Sequence, residues 1–170
     1  MLVMQTDRLR LRWFTPADAA FLLDLLNQPS WIANIGDRGV RTLADAEAWI
    51  KDRLIANYYA QGFGFWAVER QADGVLLGMC GLIKRDTLPA VDVGYAFAPP
   101  FLGQGYAREA AAACLQHAHT VLGLTRVLAI TGSDNVASAR LLEAIGLRHL
   151  ETRALDGETR ATRVFEWLAS

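Results

Sequence analysis

Residues 91–107, VDVGYAFAPPFLGQGYA, decide the fold of this chain. The apolar residues of 91–97 predict a β-strand, and Gly94 inside it is typical of a bulge or of a close backbone approach. Gly103 and Gly105 then lead into an Ala-rich segment that predicts a helix from Gly105 to Leu122, ended by Gly123. The stretch therefore predicts a strand, a tight glycine turn and a long helix in direct succession.

The glycine turn is a candidate phosphate-binding site. N–H groups in the first turn of a helix lack intrahelical partners and carry a partial positive charge, so they bind phosphate without lysine. The turn does not match a dinucleotide-binding fingerprint, because position 108 is Arg, and it does not match a P-loop, because Gly-Lys-Ser/Thr is absent. Taken alone, such a turn is more often plain loop geometry than a ligand site.

The rest of the chain predicts a mixed α/β sheet. Alternation at Leu9, Leu11 and Trp13 predicts a strand, while Thr15 and Thr42 are typical of helix N-caps. We expect residues 30–42 to be irregular, and the later alternation of elements to give one strand-helix-strand crossover. The remaining predicted elements are strands at 65–69, 75–83, 126–130, 147–155 and 162–168, a helix at 136–145, and a turn at Asp156-Gly157.

Length and composition limit the class of protein. A chain of 170 residues fits one domain, 1–170, that buries a core without disulfides or metal. With 17 Lys+Arg against 18 Asp+Glu, the net charge of −1 argues against a nucleic-acid partner. Cys80 and Cys114 form no CxxC pair, so we expect no metal site. Without a signal peptide or an apolar run of ~20 residues, we expect a cytoplasmic protein with no membrane partner.

Further segments extend the single motif into a family resemblance. TDRLRLR (6–12), GMCGLI (78–83), VGY (93–95), GQGYAREA (103–110) and DNVASARLLEAIGL (134–147) follow one another in order. Their order and spacing resemble the GNAT superfamily of acyl-CoA-dependent N-acetyltransferases, and within it the ribosomal-protein N-acetyltransferase (RimJ/RimL-like) branch. The resemblance implies the GNAT fold: a mixed, mostly antiparallel sheet, splayed at a bulged strand and flanked by about four helices. By analogy it also admits a homodimer.

The resemblance places coenzyme A at the glycine turn and the strand before it. Backbone N–H groups of 102–107 would hold the pyrophosphate, and main-chain groups of 95–97 would pair with the pantetheine arm. Asn135 would orient the pantetheine or the thiol, or serve only as a helix N-cap. Pro100 stands where the family often has Gln or Arg, so we expect reduced charge at the site. The implied acetyl-CoA-binding residues are Tyr95, Ala96, Phe97, Leu102, Gly103, Gln104, Gly105, Tyr106, Ala107 and Asn135.

Two catalytic candidates follow from the resemblance. Asp92 aligns with a position that often carries Glu in this branch, and its carboxylate would take the amine proton directly or through a water. An equally weighted interpretation is a structural ion pair with an arginine such as Arg85. The tyrosine that many GNAT enzymes use to protonate the thiolate is replaced by Leu141-Leu142. Ser138 is then the remaining hydroxyl near the sulfur, or else a first-turn serine that bonds the backbone.

The resulting hypothesis is transfer of acetyl from acetyl-CoA to a primary amine, on a protein N-terminus or a small molecule, by direct attack. An acyl-CoA-binding sensor or interaction module without turnover is the alternative, and an ordinary nucleotide-binding protein is a third. We expect the acceptor site between the Gly36/Gly39 loop, the second helix and the C-terminal strands, with aromatic residues such as Trp31 lining it.

Overall fold

The computed structural model describes residues 1–154 and 161–170. The predicted turn at Asp156-Gly157 lies outside the described residues. Helices within them are α1 (Ala19–Leu26), α2 (Pro29–Asn34), α3 (Leu43–Trp49), α4 (Ala56–Gln61), α5 (Tyr106–Thr120) and α6 (Val136–Ala144). Strands are β1 (Leu2–Gln5), β2 (Leu9–Arg12), β3 (Phe65–Arg70), β4 (Leu76–Ile83), β5 (Asp92–Phe97), β6 (Arg126–Gly132), β7 (Arg148–Ala154) and β8 (Ala161–Leu168).

The described strands form one sheet in the order β1-β2-β3-β4-β5-β6-β8-β7. Neighbouring strands are antiparallel, except that β5 and β6 are parallel. This parallel pair is joined through α5, which is the strand-helix-strand crossover predicted from the sequence. The predicted mixed, mostly antiparallel sheet is confirmed.

Four of the helices, α1 to α4, lie between β2 and β3 in the N-terminal half of the chain. Thr42 accepts a hydrogen bond from the Asp45 N–H at 3.0 Å, and Asp45 bonds back to the Thr42 N–H, so the predicted cap is present. A π-helical segment, Ile50–Ile55, joins α3 to α4 without a break. The expectation of an irregular 30–42 segment was wrong at its start, because Pro29 begins α2. Within the described residues, no helix is long and apolar enough to cross a bilayer.

Helix α5 covers one face of the sheet. The buried sulfurs of Cys80 on β4 and Cys114 on α5 lie 3.6 Å apart, and neither cysteine is in a disulfide. Trp66 of β3 packs edge-on against His117 of α5, with ring centroids 5.3 Å apart. Since Cys80 pairs across the strands with both Trp66 and Tyr95, the Tyr95 side chain belongs to this same face.

The predicted bulge at Gly94 is not found in the β4–β5 pairing. The register is unbroken from Gly78 opposite Phe97 to Ile83 opposite Asp92. A Cβ at Gly94 would lie 3.0 Å from the Phe65 ring, so the glycine is explained by the aromatic side chain that packs against it.

The sheet nevertheless splays between β5 and β6. These strands pair at one position, Asp92 opposite Leu128, where the Leu128 N–H donates to the Val91 carbonyl at 2.8 Å. From there β5 continues along β4, while β6 pairs with β8 over its whole length. The two parallel strands therefore leave a cleft between their carboxyl ends, as the family resemblance implied, but without the bulge expected at Gly94.

Candidate active site

The carboxyl half of β5 lines one side of this cleft. Tyr95, Ala96 and Phe97 pair with β4, but within the described residues β6 pairs with none of them. An open strand edge of this kind accepts an extended ligand by main-chain hydrogen bonding, like an added strand. The residues predicted to pair with the pantetheine arm therefore lie where such an arm has room.

The glycine turn follows at the mouth of the cleft. Gly103 and Gly105 have φ of 75° and 81°, a left-handed conformation that side chains disfavour. Gly105 is the N-cap of α5, so the helix begins at Tyr106 and its first N–H groups face out of the turn. Leu102 is exposed, and Gln104 donates to the Pro100 carbonyl at 3.0 Å, which closes the turn. The backbone therefore has the form of an anion-binding helix N-terminus.

Arg8 brings a positive charge to this turn. It lies just before β2, and its Nη1 donates to the Gln104 carbonyl at 3.0 Å. The guanidinium stacks on the Tyr106 ring, 4.3 Å from the centroid, while its Nε pairs with Glu109 at 2.7 Å. No pattern in the sequence indicated this contact, because Arg8 and Gln104 are 96 positions apart. The expectation of reduced charge, based on Pro100, did not include Arg8, a cation that the N-terminal segment brings to the turn.

Two hydroxyl groups meet across the cleft. Asn135 caps α6 by accepting from the Ser138 N–H at 3.1 Å, which fixes Ser138 in the first turn of that helix. The Ser138 hydroxyl lies 2.7 Å from the Tyr95 hydroxyl of β5. Burial raises the pKa of Tyr95 to about 12, so this phenol stays protonated at neutral pH. Sequence reasoning named Tyr95 for its backbone only and missed its side chain.

Asp92 sits at the closed end of the splay. Its side chain is 1% exposed, and Arg85 Nε donates to its two carboxylate oxygens at 3.2 and 3.3 Å. The ion pair between Arg85 and Asp92, which the sequence offered as the alternative to a catalytic role, is therefore present. Burial raises the pKa of Asp92 to about 6, although Arg85 opposes that shift. A carboxyl group with a pKa near 6 exchanges its proton close to physiological pH.

The buried Trp31 and Cys114 contribute no reactive group to the site. Trp31 is buried, and its indole N–H has no hydrogen-bond partner among the described residues, so its place in an acceptor site stays a prediction. Burial raises the pKa of Cys114, which makes it an unreactive thiol. Across 1–154 and 161–170, no group of three or more His, Cys, Asp or Glu side chains is placed to hold a metal ion.

Comparison with known proteins agrees with this geometry. The family described as acetyltransferase (GNAT) domain matches residues 8–148. Among curated proteins, the chain is 31% identical over 150 residues to protein YkkB of Bacillus subtilis, with 86% of each chain covered. It is 33% identical over 99 residues to the FsC-acetyl coenzyme A-N(2)-transacetylase of Aspergillus fumigatus, covering 54% of this chain and 41% of that protein.

Solved structures share the fold over nearly the whole chain. An acetyltransferase from Agrobacterium tumefaciens superposes with a TM-score of 0.81 at 25% identity, covering 98% of this chain and 94% of that one. RimL, a ribosomal L7/L12 alpha-N-protein acetyltransferase in complex with coenzyme A, superposes with a TM-score of 0.83 at 15% identity, covering 99% and 98%. At that identity the second likeness concerns the fold.

Proposed function

Because the chain belongs to the acetyltransferase (GNAT) family and is an acyl-CoA-dependent N-acetyltransferase that uses acetyl-CoA, we propose that residues 1–170 form one domain in which a primary amine attacks the thioester directly. The observation that carries the proposal is the open edge of β5 at the splay, which leads straight into the glycine turn. The acceptor would be a protein N-terminus or a small-molecule amine. An α-amino group, with a pKa of about 8, is neutral more often at pH 7 than a lysine amine with a pKa near 10.4, so a weaker base is sufficient to deprotonate it.

The described residues fit coenzyme A. The backbone N–H groups of 102–107 would hold the pyrophosphate, with Arg8 at their side, and the open edge at 95–97 would pair with the pantetheine arm. Asn135, which also caps α6, would keep the thiol end beside Ser138. When bound, acetyl-CoA supplies the activated acetyl group, and the N–C bond forms as the C–S bond breaks.

Asp92 is the proposed base. The amine must lose one proton overall, and a buried carboxylate with a pKa of about 6 is ionised at neutral pH but still basic enough to accept it. Since Asp92 is enclosed and bonded to Arg85, the proton would travel through a water and not by direct contact. Arg85 would stabilise the ionised carboxylate between turnovers.

Ser138 is the proposed proton donor to the departing thiolate. Tyr95 would donate its hydroxyl proton to Ser138 Oγ, which leaves the Ser138 proton free to face the sulfur. The phenol that supports the proton donor thus comes from β5, since α6 lacks the tyrosine that many GNAT enzymes have there. The amine loses one proton to Asp92 and the sulfur gains one from Ser138. Exchange with solvent then removes the proton from Asp92 and returns one to Ser138, so that both residues regain their starting states.

Calorimetry with acetyl-CoA, followed by thiol-release assays on a panel of amines, tests the function. We expect acetyl-CoA to bind and at least one α-amine to be acetylated at a rate that saturates with both substrates. Tight acetyl-CoA binding without turnover of any amine would support the sensor or interaction module. Binding of ATP or NAD without binding of coenzyme A would contradict the proposal altogether.

A further inference from the structure

Two arginines with no ion-pair partner share a cavity on the helical side of the molecule. The cavity, of about 260 Å³, lies between the loop after α2 and the π-helical segment, and Arg38 and Arg53 are on its wall. Neither side chain makes an ion pair or a hydrogen bond within the described residues. The other lining residues are Gly39, Val40, Asp45, Ala48, Trp49 and Asp52.

The two carboxylates in the cavity wall do not neutralise these arginines. Asp45 is engaged by the backbone N–H groups of Arg41 and Thr42, at 3.0 and 3.2 Å. Asp52 is exposed and makes no ion pair with either arginine in the described part of the chain. Among residues 1–154 and 161–170, the two guanidinium groups at this cavity therefore have no matching anion.

Arg85, which does not line the cavity, adds a third positive charge near Arg38. Burial, together with the positive charges of Arg85 and Arg53, lowers the pKa of Arg38, which places Arg38 near both of them. Arg85 is the residue that holds Asp92 at the closed end of the splay. Arg85 therefore lies near Arg38 and is also bonded to the proposed base.

We propose that Arg38 and Arg53, next to Arg85, bind a carboxylate carried by the amine acceptor. Like charges held close together destabilise the free protein, and an anion bound between them relieves that repulsion. The planar fork of arginine binds carboxylate through two parallel hydrogen bonds, which also orients the bound molecule. This substrate class rests on the proposed function, because the bound carboxylate would belong to the amine that the enzyme acetylates.

Matched acceptors that differ only in charge test the proposal. One pair is a short peptide with glutamate at its second position and the same peptide with glutamine there. The other is 4-aminobutyrate and its amide, so the two arms separate a peptide source of the carboxylate from a small molecule. We expect kcat/KM to favour the carboxylate about tenfold in at least one arm, since a charge-assisted hydrogen bond is worth about that factor.

Variants locate the effect. In Arg38→Ala and Arg53→Ala, we expect the ratio of kcat/KM between carboxylate and amide to fall toward one. Lys51→Ala is the control, because it removes a positive charge from the same π-helical segment outside the cavity wall, and it should keep the ratio. Thermal melting of each variant checks that the fold is kept.

Calorimetric titration of both members of each pair into the coenzyme A-bound protein gives a reading that needs no turnover. The same preference for carboxylate, lost in Arg53→Ala, is expected there. Equal binding and equal kcat/KM for carboxylate and amide would overturn the carboxylate site while leaving the acetyltransferase function intact. A carboxylate preference in binding without any acetylation would contradict the proposed function and not the site.

Discussion

The hydroxyl groups of Tyr95 and Ser138 lie 2.7 Å apart and join β5 to α6 across the splay of the sheet. This bond connects the strand expected to carry the pantetheine arm with the helix that presents the proposed proton donor. It gives the site a phenol on β5, whereas many GNAT enzymes carry a tyrosine on the helix that corresponds to α6. The contact also yields the first testable prediction.

Ser138→Ala should lower kcat by about 100-fold, in line with loss of a general acid, while the KM for acetyl-CoA changes by no more than about twofold. Steady-state kinetics with saturating amine measures both. The alanine variant keeps the backbone N–H that bonds Asn135, so the helix cap is retained. An unchanged kcat would remove Ser138 from the mechanism.

Tyr95→Phe should lower kcat by about tenfold, because Ser138 loses the donor that orients its hydroxyl. The double variant should be no slower than Ser138→Ala, since the two residues act as a unit. Measured kcat values for the four proteins of this cycle decide the point. Additive effects would show that Tyr95 acts independently of Ser138.

Gly103→Ala should weaken acetyl-CoA binding by about tenfold or more, because its φ of 75° is disfavoured for alanine and the turn must shift. Gly123→Ala is a matched control at the end of α5, with a φ of 70° and, like Gly103, open space around its Cα. Both variants should lose similar stability by thermal melting. Calorimetry should show weaker acetyl-CoA binding in Gly103→Ala alone.

Arg8→Gln should raise the dissociation constant of acetyl-CoA by about fivefold and reduce its dependence on salt, because a cation beside the phosphate turn is lost. Glu109→Gln separates charge from structure, since it breaks the same ion pair but leaves Arg8 in place. We expect that variant to bind acetyl-CoA at least as tightly as the wild type. Equal weakening in both variants would indicate a structural role only.

The raised pKa of Asp92 predicts an acid limb in the kinetics. At saturating acetyl-CoA, kcat/KM for the amine should fall by a further factor of about ten per pH unit below pH 6, beyond the decrease that comes from protonation of the amine itself, because the carboxylate becomes protonated and stops acting as a base. In Asp92→Asn the inflection near pH 6 should be absent and the rate lower throughout. An inflection that survives the substitution would assign the limb to another group.

The same pKa predicts how stability depends on pH. Folding raises the pKa of Asp92 from 3.8 to about 6. Between these two pH values the folded state therefore binds more protons than the unfolded state. Its contribution to stability is present below pH 3.8 and is lost as pH rises through 6. The free energy of unfolding of the wild type, relative to Asp92→Asn, should therefore fall by about 2 kcal/mol from pH 4 to 7. Urea denaturation at several pH values measures this difference.

Local sequence patterns were sufficient where neighbouring residues decide the structure. The caps at Thr15 and Thr42, the glycine turn before α5 and the alternation of β2 each depend on contacts within a few positions. The order of the motifs was also enough to indicate the family and the coenzyme. The bulge predicted at Gly94 was wrong, because a strand glycine accommodates either a bulge or a neighbouring ring, and only packing against Phe65 distinguishes them.

The sequence by itself determined the fold class and the place of the glycine turn, because these follow from short-range backbone preferences and motif order. It indicated the coenzyme only through the family resemblance. Only the tertiary structure decided which side chains surround them. Arg8 reaches the turn from 96 positions away, and Tyr95 meets Ser138 from 43 positions away. Such contacts depend on how strands and helices pack, and charge or hydroxyl groups carry no periodic pattern that would reveal them beforehand. The burial that raises the pKa of Asp92 has the same origin.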